Sequence, residues 1–244
     1  MNEGKMMSFT TDEIQKNVLG YVNSIESLGA LDGPGLRTVF FLQGCPVKCI
    51  YCHNPEMQDK NGGRPMSVIE IVQIAQRNRP YFGKRGGVTF SGGEPLMQPD
   101  FVLQCILECK KLGIHTVVDT SGVIFDKCIF DSADLILLDI KHTDSEVYRK
   151  IVGCAMDNSM RVLDYLSNNN IDFIVRHVVV GDLNDDVQNI KALKKLANKA
   201  IKIELLPYHA MAMPKYEHLG WEYPYHLKVP SEQKMKELQK IIDS

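Results

Sequence analysis

Apolar and polar positions along this chain fall into two alternating patterns. Short, nearly continuous apolar runs occur at RTVFFLQ (37–43), GVTF (87–90), IHTVVDT (114–120), DLILLDI (134–140), IDFIVRHVVV (171–180) and IKIELL (201–206). Their length and β-branched content predict buried strands. Between them, apolar residues recur three and four apart, which predicts helices over 67–78, 100–113, 128–132, 145–152, 159–169 and 186–199, with a tail helix at 231–243. Ser67 followed three residues later by Glu70 is a capping box that starts the first of these, and Gly113 stops the second. The stretch 207–230 reads as a loop.

No hairpin signal interrupts the series. Strands that alternate with helices predict a parallel sheet of right-handed βαβ units. Patterning does not decide between a barrel or partial barrel and an open doubly wound sheet. In each of these, ligands bind at the carboxyl ends of the strands. The polar and glycine-rich segments lie there: GCPVKC, SGGEP, DTSG and DIKH after the first four strands, RHVV late in the fifth, LPYH after the sixth. Residues 18–244 read as a single domain. Residues 1–17 form an N-terminal extension, expected to be disordered or a short helix.

Composition narrows the setting. The chain has 244 residues, 44% hydrophobic, with a formal net charge of −2, so it holds ample core and offers no general nucleic-acid surface. No apolar run approaches a membrane span, and the N-terminus lacks the apolar region of a secretory signal. A cytoplasmic protein with no membrane contact is expected. Seven cysteines in a reducing compartment argue against a disulfide framework and for metal binding or reactive chemistry at any cluster.

Such a cluster exists: Cys45, Cys49 and Cys52 in QGCPVKCIYCHNPE, with C-x3-C-x2-C spacing. Thiolates suit zinc, copper(I) or an iron–sulfur cluster. Zinc needs a fourth ligand. His53 is the candidate, but it directly follows Cys52, and neighbours rarely reach one tetrahedral ion together. A cubane held by three cysteines leaves one iron open, which is the mark of a catalytic rather than a structural centre. An inert buried set is the plainest alternative. Cys105 and Cys109, four apart on the apolar side of a helix, read as core, and Cys128 and Cys154 are isolated.

The spacing, with an aromatic residue before the last cysteine, resembles the signature of the radical S-adenosylmethionine superfamily. The stretches DGPGLRTVFFLQGCPVKCIYCHNPE, GGVTFSGGEPL, GIHTVVDTSG, LLDIKH and IELLPYH are similar to the activating enzymes of glycyl radical enzymes, over roughly residues 19–244. The resemblance implies an α/β fold, a partial (β/α)6 barrel with parallel strands. It implies a [4Fe-4S] cluster on Cys45, Cys49 and Cys52, with S-adenosyl-L-methionine chelating the open iron. One-electron cleavage then yields a 5′-deoxyadenosyl radical that takes a glycine Cα hydrogen from a partner protein.

On the same ground Gly92, Gly93 and Glu94 receive the amino group of the cofactor, and Arg176 and His209 contact it. Tyr51 and His53 flank the cluster on the adenine side. Asp119, Thr120 and Asp139 end neighbouring strands, where carboxylates need a cation, either Lys141 or a bound monovalent ion. Capping of the following turn is their plainer role. Asp32, Gly33 and Arg37 belong to a loop that is elsewhere an ordinary turn and that in activating enzymes borders the access for the partner's glycine loop.

No cysteine lies between Cys52 and Gly92, which excludes a ferredoxin-like insert and favours the pyruvate formate-lyase type. The implied partners are pyruvate formate-lyase and a flavodoxin or ferredoxin as electron donor, with the chain a monomer. An activator of another glycyl radical enzyme, such as anaerobic ribonucleotide reductase, a non-catalytic metal-binding module and a small-molecule radical enzyme are the rivals. The stretch after LPYH matches the family pattern only loosely.

Overall fold

Each of the six apolar runs forms a strand in the computed structural model, which describes residues 18–224 and 226–244. The extension at 1–17 lies outside the described residues. In chain order the elements are β1 (Leu19–Gly29), β2 (Arg37–Leu42), β3 (Arg64–Ser67), α1 (Val68–Phe82), β4 (Gly87–Gly92), α2 (Pro99–Lys111), β5 (His115–Thr120) and α3 (Lys127–Ser132). Then follow β6 (Leu135–Asp139), α4 (Ser145–Val152), α5 (Asp157–Asn168), β7 (Phe173–Val179), α6 (Val187–Leu196), β8 (Lys202–Pro207), α7 (Met213–His218) and α8 (Glu232–Asp243). The capping box at Ser67 and Glu70 forms as read from the sequence.

The sheet order is β3-β1-β2-β4-β5-β6-β7-β8, and every pair from β2 through β8 is parallel. Because the order never reverses, right-handed crossovers put all the connecting helices on one face. This rules out the doubly wound alternative. The sheet stays open, with β8 and β3 at its ends, as in a partial barrel.

Two strands were not expected. β1 pairs antiparallel with β2, and β3 pairs antiparallel with β1. β1 buries few of its side chains, so its sequence carries no strong alternation. It reaches β2 through the loop Ala30–Leu36, which holds the DGPG segment.

Strand alternation sorts the side chains into two layers. Phe40, Phe90, Val118, Ile136, Leu138 and Val175 face the helices and make the main core with Ile71, Phe101, Ile106, Phe130 and Leu166. The other face carries Val117, Leu135, Leu137 and Ile174 as a small apolar floor. Two residues further along the same strands, that face turns polar at Asp119, Asp139 and Arg176, with Ser91 beside them on β4. The polar ring therefore sits on the concave side at the carboxyl ends of the strands.

Candidate radical-chemistry site

The cysteine loop begins where β2 stops. Gly44 takes φ +99°, a left-handed conformation that glycine adopts without strain, and turns the chain out of the sheet. Gln43 then fastens the loop to its own far end. Its Nε2 donates to the carbonyls of Glu56 at 2.9 Å and Asp59 at 2.6 Å, and its Oε1 accepts from Asn23 at 2.8 Å.

The SGGE segment after β4 packs directly on this loop. Gly93 N–H donates to the Leu42 carbonyl at 2.9 Å, and Glu94 N–H to the Gly44 carbonyl at 2.8 Å. A Cβ on Gly93 would stand 2.2 Å from the Gly44 oxygen. Its glycine is thus required by backbone packing before any ligand is considered.

Glu94 does not face the cavity. Its fully buried carboxylate accepts from Thr120 Oγ1 at 2.6 Å, Ser121 N–H at 3.0 Å, Ser121 Oγ at 2.6 Å and Leu96 N–H at 3.3 Å. It locks the end of β4 to the end of β5, and Thr120 gives its hydroxyl to that lock. Sequence reasoning placed Glu94 against the cofactor; the structure makes it a brace behind the glycines that line the cavity. Ser121, which supplies two of the donors, was not singled out from the sequence, since no linear signal joins it to Glu94.

The polar ring is unequally charged. Ser91 Oγ donates to Asp119 Oδ2 at 2.8 Å, and Arg176 Nη1 approaches the same oxygen at 3.4 Å. Burial nonetheless pushes Asp119 up to about 6, against the pull of Arg176. Burial would push Asp139 up as well, but Lys141 and Arg176 outweigh it and hold Asp139 below the usual carboxylate range. Lys141 Nζ bonds Asp139 Oδ2 at 2.5 Å and lies 5.9 Å from the centre of the Tyr51 ring.

These groups line one cavity of about 280 Å³ together with Cys45, Cys49, Cys52, Tyr51, His53, Asp32, Gly92, Gly93 and Thr120. Two buried donors in its wall, Tyr51 Oη and Arg176 Nε, have no hydrogen-bond partner. Unpartnered buried donors are costly, so they mark where a polar ligand fits.

His53 and His209 come together, but as a stacked pair 4.1 Å apart, with His53 Nε2 3.0 Å from the His209 carbonyl oxygen. Burial and the neighbouring His209 lower His53 to about 4, so it is neutral. His209 does not line the cofactor cavity. It lines a wider groove of about 950 Å³ between the loop Ala30–Pro34 and the free edge strand β8. Gly33 also faces this groove, and His53, Arg176, Val178 and Leu206 line both spaces.

Arg37 was expected beside the partner, and the structure corrects that. Its side chain is fully buried, because its guanidinium satisfies acceptors on three segments. It donates to Thr89 Oγ1 at 2.7 Å and to the carbonyls of Pro34, Val88 and His115 at 2.9, 2.5 and 3.2 Å. It fixes the DGPG loop from beneath, and its burial leaves no part of it on the surface.

The cysteines test the metal readings. Burial pushes Cys45 up to about 12 and Cys49 to about 11, so neither is a reactive thiolate without a metal. Among the described residues, no three His, Cys, Asp or Glu side chains are grouped as one metal ion requires. A cluster whose thiolates each take a different iron does not need that grouping, whereas zinc does. His53 Nε2 is engaged by the His209 carbonyl oxygen. The residues fit an iron–sulfur cluster and a polar cofactor beside it.

A helix the sequence did not show holds the loop from outside. Lys215 Nζ donates to Asn54 Oδ1 and Glu56 Oε1, each at 2.7 Å, and Tyr216 Oη donates to the Cys52 carbonyl at 3.0 Å. Both belong to α7, whose short irregular surroundings gave no periodic signal. Cys105 and Cys109 are buried in the core as expected, Cys128 is exposed, and Cys154 is half-buried.

The sequence model of the Radical SAM superfamily matches residues 39–195, and the chain belongs to that superfamily, whose members use a [4Fe-4S] cluster and S-adenosylmethionine. Within it, the chain is 40% identical over 232 residues to the pyruvate formate-lyase-activating enzyme of Clostridium pasteurianum, covering 92% of this chain and 98% of that one. It is 35% identical over 237 residues to the pyruvate formate-lyase 1-activating enzyme of Escherichia coli (strain K12), covering 93% and 96%. Its fold is similar to the crystal structure of a domain of pyruvate-formate lyase-activating enzyme from Bacteroides vulgatus ATCC 8482, with a TM-score of 0.55 and 25% identity over 65% of this chain and 93% of that one. No helix among the described residues is long and apolar enough to cross a membrane.

Proposed function

We propose that this chain activates pyruvate formate-lyase by removing a hydrogen atom from the Cα of one of its glycines. It does so as a single cytoplasmic domain over residues 18–244, as a monomer, with a flavodoxin or ferredoxin as electron donor. The observation that carries the reading is the wall the two spaces share. The cavity lined by the cysteines and the larger groove between the DGPG loop and β8 have His53, Arg176, Val178 and Leu206 in common. A small-molecule substrate has no use for that groove, whereas an extended protein segment does.

Cys45, Cys49 and Cys52 would hold the cluster. The backbone of Gly92 and Gly93, the carboxylates of Asp119 and Asp139, and the cations Lys141 and Arg176 would hold S-adenosylmethionine, with Tyr51 and His53 beside it. A monovalent cation between the two aspartates is a further part of this reading. When bound, the cluster and S-adenosylmethionine supply one-electron cleavage of a carbon–sulfur bond and abstraction of a hydrogen atom.

The protein's own part is placement. The apolar cluster of Val117, Leu135, Leu137 and Ile174 lies on the same sheet face as the polar ring. Arg176 Nε and Tyr51 Oη are donors already aimed and unpartnered, so they orient a polar ligand without first breaking a bond. Asp32 lines the cavity next to Gly33, which lines the groove, and burial raises its carboxyl above the usual carboxylate range. Arg37 keeps the loop that carries it in register.

The test is anaerobic reconstitution, reduction, and addition of S-adenosylmethionine and pyruvate formate-lyase, with the electron paramagnetic resonance spectrum recorded. A glycyl radical doublet on the lyase is the expected result. Formation of 5′-deoxyadenosine without the doublet would move the reading to another glycyl radical enzyme. Stoichiometric zinc and no cleavage would leave a metal-binding module.

A further inference from the structure

The cysteine loop has an outer as well as an inner face. Cys49 lines the cofactor cavity and also a second, outward-facing pit of about 350 Å³. That pit is walled by Ile50, Tyr216, Trp221 and Pro224, with Lys48 on its rim. The same loop lines both.

The aromatic wall of the pit reaches the cluster ligands. Trp221, the only tryptophan in the chain, is 44% exposed. Its ring meets that of Tyr216 edge-on at 6.5 Å, and Tyr216 Oη donates to the Cys52 carbonyl at 3.0 Å. Tyr223 packs edge-on against Tyr216 at 5.3 Å and supports it. A continuous aromatic and hydrogen-bonded path therefore runs from solvent to the backbone of a cysteine that would hold iron.

We propose that this pit is the docking site of a flavin-bearing one-electron carrier protein, and that its electron enters through Trp221, Tyr216 and Cys52. The proposal rests on the function given above, whose reaction consumes one electron per glycine activated. The inner face of the loop is taken by the cofactor and the substrate segment, so the electron has to come from the outer face. The flavin hydroquinone anion of the carrier loses one electron, the cluster gains it, and no proton moves.

The chemistry of the pit selects the partner. Its wall is apolar and aromatic, suited to the exposed edge of a planar ring. Two exposed segments meet at this point of the loop, since Ile50 N–H donates to the Ile151 carbonyl at 2.9 Å. They carry the exposed cations Lys48, Arg149 and Lys150, against one carboxylate in the pit, Glu222. His226 lies in the same wall, and Asp144 and Glu146 lie at the opposite end of α4. The carrier should bear carboxylates around its flavin edge, which gives steering and orientation more than affinity.

The test uses the cluster-loaded protein with no lyase and no S-adenosylmethionine. Reduced flavodoxin is mixed with it anaerobically, and cluster reduction is followed by the loss of its visible absorbance. Binding is followed separately by Trp221 fluorescence with oxidised flavodoxin. Trp221→Ala and Lys48→Glu should each slow flavodoxin-driven reduction by about tenfold or more, the scale of losing an interface anchor. Dithionite, which needs no docking, should reduce both variants at the wild-type rate. Flavodoxin should quench Trp221 in the unaltered protein and bind Lys48→Glu more weakly.

Unchanged flavodoxin rates in both variants would overturn the proposal. So would a flavodoxin effect matched by dithionite in both, because the variants would then act on the cluster itself. Variants that slow a ferredoxin but not flavodoxin would overturn the flavin assignment. All of these readouts precede substrate, so a failure to radicalise the lyase leaves them standing, and their failure leaves the proposed function standing.

Discussion

Asp119 and Asp139 end adjacent strands within one cavity, yet their surroundings push them in opposite directions. Asp139 has Lys141 in direct contact, while Asp119 has only the 3.4 Å approach of Arg176 and the Ser91 hydroxyl to set against its burial. Asp119 therefore rises from 3.8 to about 6. A carboxyl raised in the folded state binds protons more tightly there than when unfolded, so its contribution to stability is full below pH 3.8 and is lost as pH rises through about 6. The cofactor-free protein should lose about 2–3 kcal/mol over that window, at roughly 1.4 kcal/mol per pKa unit. Asp139, shifted downward, acts below that window and does not cancel it. Asp119→Asn should flatten the profile in a urea titration repeated at several pH values. Saturating S-adenosylmethionine should also flatten it, because a bound cation stabilises the ionised carboxylate. A profile unchanged by the substitution would show that another group titrates there.

At the scale of elements, the six parallel strands and most helices were legible, because β2, β4, β5 and β6 are buried on both faces, β7 on one, and each long helix buries one stripe, the edge strand β8 being carried by its β-branched and apolar run alone. The same logic put the polar residues at the strand ends, where Asp119, Asp139 and Arg176 are found. What escaped was set by contacts distant in sequence. β1 is half-exposed and shows no clean alternation, α7 is a single short helix, and the alliance of Glu94 with Ser121 exists only when β4 lies beside β5. The resemblance to a family supplied a ligand role for the whole GGE segment, whereas the structure divides it. Gly93 lets two loops touch, and Glu94 braces them. Gly93→Ala follows from that division. Its Cβ would fall 2.2 Å from the Gly44 oxygen and 3.0 Å from the Met57 oxygen, both backbone atoms that cannot swing away. The cysteine loop would have to shift, so the variant should keep its helical circular dichroism and fail to retain iron after reconstitution. Iron content per chain, measured after desalting, decides it. Full iron retention would return Gly93 to a ligand-contact role alone.

For the whole molecule, the question is whether the cluster builds the fold or the fold builds the cluster site. In small zinc domains the metal is the core, and the chain unfolds without it. Here the main core lies between the sheet and the helices and contains no residue of the cysteine loop. The loop belongs to a separate apolar group in which Val47 and Tyr51 pack with Tyr148, Ile151, Val180 and Tyr208. It is further tied by Gln43, by the Ile151 carbonyl and by the α7 clamp. Removing the metal deletes none of these contacts, so the apo-protein should stay folded, with a site whose thiols are protonated rather than dispersed. The cluster should raise the melting temperature only as any ligand does that binds the native state alone. Hydrogen exchange on chelator-stripped protein should therefore show unchanged protection in β4 through β8 and faster exchange confined to residues 44–58 and to α7, whose side chains hold that loop. Loss of protection across the sheet would mean that the cluster is a folding element, and that the separation between core and site drawn from the contacts is wrong.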